Sequence, residues 1–248
     1  MSNSLTTRIN DLRQIRPLQA WRSMRALMAN PESTGEVFKI IEALKGNAIF
    51  QAVQRLRDDP RGSVLLRDKP DILPLLNDRA SLRALPRESL GQAYLRFVEA
   101  RDISADGLVA ASEEAPRERE LDPDARWLAN LLRDIHDLQH VVCGYGPDEL
   151  GELCLLAFMH AQTPNRGIGF IIHMGSRQFR REAPHIDIDR CVAEGRHTGE
   201  TATWFATQAW EQRLGEPLEA LRGELCVPPP TRYREALATL APEQLATG

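Results

Sequence analysis

Two histidines and two carboxylates near the middle of the chain have the types and spacing of metal ligands. His136 and His140 are four residues apart with Asp137 beside the first, and Glu152 follows His140 after an interval of eleven residues. At about 100° per residue, the histidines and Asp137 share one narrow arc of a helical wheel. Two imidazoles at this spacing can bind one ion, and carboxylates add oxygen ligands. We therefore predict a divalent metal site at His136, Asp137, His140 and Glu152.

Neighbouring residues define the alternatives within this site. Glu149 shares the side of Glu152 and is the fallback ligand. Arg133 lies on the metal arc, either as an i,i+4 ion pair with Asp137 or as a contact for an anionic ligand group. The apolar stripe of the same helix points elsewhere, so a solvated polar face with two incidental histidines is the competing interpretation. A mixed nitrogen and oxygen set suits zinc, iron or manganese, and open coordination positions are typical of catalytic sites.

Two helices are predicted to carry these ligands. Pro123 is in a favoured first-turn position for a helix that continues from about 124 to 142. A break follows at 144–147, and Asp148 is the expected N-cap of a second helix that ends near Gln162. Because the connection is short, we expect the helices to pack antiparallel, which turns the second helix's first carboxylates toward the histidines.

Helical periodicity also dominates the remaining chain. Apolar residues recur at three- and four-residue spacing over 36–57 and again over 88–98. Residues 103–121 are charged and rich in small side chains, which predicts a surface loop. Residues 167–174 fit either a strand or a buried helical piece, and 201–213 is predicted to be helical. The expected fold class is all-α: a single mainly helical domain, an antiparallel helix bundle with irregular connections.

Composition excludes several classes of protein. The 248 residues are 42% hydrophobic and 27% charged, with a net charge of −4, which is typical of a globular protein and not of a nucleic-acid binder. Four scattered cysteines form neither a zinc ribbon nor a disulfide framework. The N-terminal string MSNSLTTRINDLR lacks the apolar core of a signal peptide, and the longest uncharged stretch is too short to span a bilayer. We expect one cytoplasmic domain over residues 1–248.

The predicted metal ligands lie in the string HDLQHVVCGYGPDELGE. This string resembles the signature of the coenzyme Q (ubiquinone) biosynthesis family typified by the fourth Coq protein. The signature consists of H-D-x-x-H, eleven further residues and a glutamate. The strings LPRESLGQAYLRFV, GSVLLRDKP and LRGELCVPPP are also similar to that family. The likeness covers residues 15–230 and is strongest over 83–160. It departs at Glu88, where the family pattern has Gly, and over 166–200, which matches poorly.

The resemblance implies an all-α, zinc-dependent enzyme that removes or replaces the C1 carboxylate of a polyprenylated hydroxybenzoate by oxidative decarboxylation. His136, Asp137, His140 and Glu152 would then be both metal ligands and catalytic residues, with Arg133 beside the substrate anion. It also implies that the partners are a polyprenylated quinone precursor, other ubiquinone-synthesis proteins and the inner-membrane surface, with a homodimer as a candidate assembly. The prenyl tail would need an apolar channel, for which the helix over 153–159 is a candidate, with ordinary core packing as the favoured explanation of its apolar residues.

Other functions remain open at the level of sequence. The main alternative is a non-catalytic lipid-binding scaffold that organises ubiquinone-synthesis enzymes and uses the ion to hold two helices together. A metal-dependent phosphohydrolase fits poorly, because His136 is the first histidine of the chain and such sites need one upstream. A peptidase of the H-E-x-x-H type also fits poorly, because Asp137 is one methylene shorter than the glutamate base.

Overall fold

The computed structural model describes residues 15–30, 33–44, 46–100 and 121–246. Within these ranges the secondary structure is helical, with no β-strand and a single isolated bridge between Ser89 and Pro217. The predicted all-α fold is confirmed. The α-helices of the described ranges are α1 Pro17–Ala29, α2 Thr34–Leu44, α3 Ala48–Asp58, α4 Pro60–Asp68, α5 Leu73–Asn77, α6 Arg79–Ala84, α7 Leu90–Glu99, α8 Pro123–Asp134, α9 His136–Cys143, α10 Glu149–Gln162, α11 Arg166–Glu182, α12 Ile188–Thr201, α13 Trp210–Arg213, α14 Leu218–Glu224 and α15 Thr231–Ala246.

Helix α10 lies at the centre of the bundle. It packs along α12 and also contacts α9, α11 and α15, which explains why its sequence is apolar on nearly every side. The approach of α12 is close: a Cβ atom on Gly195 would lie 2.4 Å from the Cys154 carbonyl oxygen, and one on Gly199 equally near that of Phe158. Only glycine leaves room for this contact.

Helices α1 and α2 form an outer layer over α11. They pack against each other, and α2 also packs on α11. A small apolar cluster holds this layer, and its buried members are Ala20, Met24, Ile40, Ala43 and Ile171. The larger core includes the apolar sides of α3, α7, α8, α9, α10 and α12. None of the described helices is long and apolar enough to cross a bilayer.

Two predicted helices are interrupted. The periodic stretch over 36–57 is divided between α2 and α3, because Gly46 adopts a positive φ of 53° between them. The prediction of one continuous helix from 124 to 142 is wrong, because Ile135, with φ −85° and ψ 4°, separates α8 from α9. Apolar periodicity continues through both breaks, so the hydrophobic pattern alone does not reveal them.

Sequence predictions for three other regions can be compared with the structure. Residues 167–174 belong to α11, which resolves the choice between strand and helix in favour of a long helix. The helix expected over 201–213 is wrong: α12 ends at Thr201, a 3-10 turn covers Phe205–Thr207, and α13 begins at Trp210. The loop predicted over 103–121 lies outside the described residues except for its last residue.

Candidate metal centre

The ligand-bearing helices are set by local signals on either side of a tight connection. Helix α9 begins at His136, directly after the break at Ile135, and Gly144 ends it in the left-handed conformation with φ 76°. The Gly144 N–H donates to the His140 carbonyl at 2.8 Å. Asp148 then caps α10 by accepting from the Gly151 N–H, as predicted. Together these features bring the first turn of α10 against α9.

Glu152 lies between the two histidines. Its Oε1 atom is 3.0 Å from His140 Nε2, and its Oε2 atom is 3.7 Å from His136 Nε2. The imidazole rings are nearly perpendicular, with centroids 4.9 Å apart. One ligand atom from each of the three residues lies within 4.8 Å of the others. Ligand atoms on one tetrahedral zinc ion are about 3.3 Å apart, so this spacing fits a common ion.

The protonation of His140 supports the same interpretation. Its Nδ1 atom is 3.2 Å from the Tyr145 carbonyl oxygen, which can only accept, so Nδ1 carries the hydrogen. In the neutral ring, Nε2 then directs its lone pair at the Glu152 carboxylate. Two acceptors 3.0 Å apart require a cation between them, either a proton or a metal ion. A histidine held by a backbone carbonyl through its other nitrogen is the usual arrangement at metal sites.

The charges of the three groups are strongly linked. Burial disfavours the ionised form of Glu152, but hydrogen bonds from His136 and His140, with their charges, hold its pKa well below the ordinary value. Burial likewise lowers the pKa of His136, yet Glu152 and then Asp137 outweigh it and raise that pKa overall. The carboxylate is therefore ionised at neutral pH and available as an anionic ligand.

The remaining sequence candidates lie around this triad. Asp137 is buried and lines the same cavity but is not a member of the group of converging ligand atoms. Arg133 lines the cavity too, and its Nε donates to Asp134 at 2.8 Å. Glu149 is exposed at the cavity edge and also outside the converging group. His160 is half-buried near Gly169 and, as expected, apart from the site.

The competing interpretation, a solvated polar face with two incidental histidines, does not fit the histidines, although the Glu152 side chain beside them is 40% exposed. His140 is only 1% exposed, and the arc opens onto a cavity of about 730 Å³. Helices α1, α2, α8, α9, α10 and α11 contribute most of its lining, which is largely apolar and includes Val37, Ile41, Leu156, Met159 and Ile168. Its volume is within the range of ligand-binding pockets. The histidines and Glu152 thus stand in the wall of an apolar cavity.

Sequence reasoning missed two supporting contacts. The Phe97 ring on α7 lies 5.3 Å from the His140 ring at an interplanar angle of 31°, and helps enclose it. The Tyr145 carbonyl orients His140 from the connection between α9 and α10. A backbone carbonyl leaves no mark in a residue pattern. Only the glycines around Tyr145 indicated that the chain turns back at this point.

The fold and the site define a class: an all-helical protein with a candidate mononuclear metal centre at the wall of an apolar cavity. The model of the family described as "Coenzyme Q (ubiquinone) biosynthesis protein Coq4" matches residues 9–231. The chain therefore belongs to the Coq4 family and is a ubiquinone biosynthesis protein, as the resemblance indicated. Its relatives include the mitochondrial COQ4 homologues of Rattus norvegicus, 29% identical over 186 residues, and of Homo sapiens, 27% identical over 187.

Each of these two alignments covers 74% of this chain and 67% of the relative. Among solved structures, the chain is similar to a putative ubiquinone biosynthesis protein from Nostoc punctiforme. The TM-score is 0.65 at 22% sequence identity, with 86% of this chain and 99% of the other covered. At that identity the similarity supports the helical fold alone.

Proposed function

We propose that this protein catalyses a metal-dependent oxidative decarboxylation at C1 of a polyprenylated hydroxybenzoate. The observation that carries the proposal is the position of His136, His140 and Glu152 in the wall of a large apolar cavity. A prenylated aromatic acid combines an anionic head with an apolar tail, and this cavity combines a cation-binding triad with an apolar lining. Family membership in ubiquinone biosynthesis supports the same substrate class.

The side chains have separate tasks in this proposal. His136, His140 and Glu152 hold the ion, and Asp137 is the predicted fourth ligand. A bound divalent ion would supply Lewis-acid polarisation of the ring oxygen or carboxylate. Arg133, on the same cavity wall, orients the substrate by donating to its carboxylate. Zinc is the expected metal, with iron and manganese as alternatives that the same ligands accept.

The net reaction fixes what else must be present. Replacing the C1 carboxylate by a hydroxyl breaks the ring-to-carboxylate carbon bond and releases CO2. If water supplies the new oxygen, two electrons and one proton are also released, so a two-electron acceptor is required. Dioxygen is the acceptor that we propose; it takes up the two electrons together with two protons and leaves as hydrogen peroxide.

The surface of α1 supports a membrane as the source of such a substrate. Leu18 is 76% exposed and Trp21 is 50% exposed, and Arg22 and Arg25 are exposed beside them. The helix has no acidic residue, so its outer face combines apolar and cationic groups, which suits an anionic lipid surface. Its inner residue Met24 lines the cavity. We propose that α1 contacts the inner membrane and that the substrate enters beside it.

The deciding experiment joins metal content to turnover. Purified wild-type protein and His140→Ala are analysed for bound metal and offered a polyprenyl-hydroxybenzoate in air, with loss of the carboxylate followed by mass spectrometry. We expect about one ion per wild-type chain and turnover, and loss of both in His140→Ala. An ion whose removal unfolds the protein, without any turnover, would favour the scaffold function. Wild-type protein that never binds metal would overturn the proposed site.

A further inference from the structure

Most polar side chains in the cavity wall are already bonded within the protein. The Gln162 amide donates to the Gly199 carbonyl at 2.7 Å and accepts from the Phe205 N–H at 2.8 Å. Thr163 accepts from the Trp204 indole at 3.1 Å. Asn165 caps α11, where it accepts from the Gly167 N–H. These groups serve the fold, so they are not available to a ligand.

Gln139 is different. Its side chain is 3% exposed, and its Oε1 atom has no hydrogen-bond partner among the described residues. Two other buried side-chain oxygens in those ranges share this property, on Ser176 and Glu211, but neither of these residues lines the cavity. Gln139 does line it. A buried acceptor without a partner is costly, and each one in a folded protein calls for an explanation.

The position of Gln139 connects it with the metal triad. It precedes His140 on α9 and lies about 60° from His136 on the helical wheel, so the cavity-facing arc continues through it. Apolar side chains of Leu132 and Phe97 line the same cavity. An amide oxygen without a partner among the described residues, in the wall of a largely apolar cavity beside the candidate metal centre, has the chemistry of a recognition group, because it favours a ligand that supplies the missing bond.

We propose that Gln139 is a specificity-determining residue that recognises a hydroxyl group on the ring of the bound ligand. An amide oxygen needs a donor, and a phenolic hydroxyl is one. The same hydroxyl can accept from the Gln139 Nε2 group, so it suits either orientation of the amide. The assignment rests on the proposed function, which supplies an aromatic head group at the triad. It goes further by naming the substituent that is read and the residue that reads it.

Two ligands that differ only in the hydroxyl test the assignment. Binding of 3-geranyl-4-hydroxybenzoate and 3-geranylbenzoate is measured by calorimetry for the wild type, for Gln139→Met and for the cavity-wall control Met159→Leu. We expect the wild type and the control to prefer the hydroxylated compound by about tenfold or more. The Gln139→Met protein, similar in shape but without the amide, should bind the two compounds within about twofold.

Stability provides a second, independent measurement. Because the amide oxygen has no partner within the described protein, Gln139→Met should melt at the same or a higher temperature than the wild type. A clear fall in Tm would mean that the Gln139 amide stabilises the fold instead of being available to a ligand, and would overturn the assignment. So would equal binding of the two compounds by the wild type, or an unchanged preference in Gln139→Met. If the wild type binds neither compound, the proposed substrate class fails and the assignment falls with it.

Discussion

At the scale of single residues, Glu152 and Glu149 give a matched pair on α10. Both line the cavity, but only Glu152 has oxygens that converge with the two histidines. We expect Glu152→Gln to weaken metal binding by about a hundredfold or more, because a neutral amide replaces the anionic ligand. Glu149→Gln should retain the ion. Competition with a coloured chelator measures both affinities. Equal losses in the two variants would contradict the assignment of Glu152.

Glu211 allows a residue-scale prediction far from the metal site. Burial raises the pKa of its carboxyl, its own backbone N–H partly opposes this, and its Oε1 atom has no partner among the described residues. A raised pKa in the folded state means that stability is fully present below the unfolded pKa and is lost as the pH rises through the folded value. Glu211 therefore destabilises the protein at neutral pH.

The test is Glu211→Gln, which removes the charge and keeps the shape. We expect the variant to be more stable than the wild type at pH 8, and to match it near pH 4. Urea unfolding at both pH values measures the difference. A gain of the same size at pH 4 and pH 8 would show that charge is not the cause.

Sequence was most informative at this scale. Residue type and helical spacing predict that His136, His140 and Glu152 converge, because metal ligands must be particular side chains on one face of a helix, and their ligand atoms do lie together. That these residues and Asp137 bind a metal ion remains a prediction. The Tyr145 carbonyl and the Gln139 Oε1 atom, which has no partner among the described residues, could not be predicted. The Tyr145 carbonyl is a backbone group, which residue type does not reveal. The Gln139 oxygen stands out only because the surrounding helices of the described ranges place no hydrogen-bond donor beside it.

At the scale of secondary-structure elements, α1 leads to a prediction about membranes. Trp21→Glu should reduce co-sedimentation with anionic vesicles about tenfold or more, because it places a negative charge between Leu18 and Arg25 on the exposed face. Binding by the wild type should fall with added salt and with neutral lipid, since the arginine contribution is electrostatic.

The control for this prediction is Val64→Glu on α4. Val64 is 44% exposed, so it matches the chemistry and accessibility of the change without altering α1. This variant should sediment with vesicles as the wild type does. If both variants lose binding equally, net charge is responsible rather than the α1 surface. If neither does, the protein contacts membranes elsewhere or not at all.

Helix existence was predictable, while helix boundaries were less so. The N-cap at Asp148 and the first-turn Pro123 were correct because their side-chain chemistry acts locally. The break at Ile135 carries no such signal: the residue is apolar, fully buried and in phase with both helices. The wrong prediction after Thr201 has the same origin, since buried Ala206 and Trp210 are four residues apart, as on one helix face, but belong to a 3-10 turn and to the start of α13 respectively.

At the scale of the whole molecule, the cavity is the feature that sequence could not reveal. Its lining comes from helices that are distant in the chain, so no local pattern encodes its volume. The apolar residues of α10 suggest either ordinary core packing, the favoured explanation, or a tail channel formed by Leu153, Leu155, Leu156, Phe158 and Met159. Of these, the cavity-lining residues are Leu153, Leu156 and Met159. Their neighbours Leu155 and Phe158 are buried in the main core. Helix α10 therefore lines the cavity with one face and packs in the main core with another.

The separation of α10 into a cavity face and a core face leads to a prediction about the length of the ligand's tail. Leu156 is partly buried on the cavity wall, so Leu156→Trp should fill part of the roughly 730 Å³ without disturbing the core behind it. We expect affinity for a long-tailed prenyl-hydroxybenzoate to fall about tenfold or more, while tail-less 4-hydroxybenzoate and metal bind as in the wild type. Calorimetry with both ligands, at an unchanged Tm, measures this. Equal weakening of both ligands would mean that the tail lies outside the cavity.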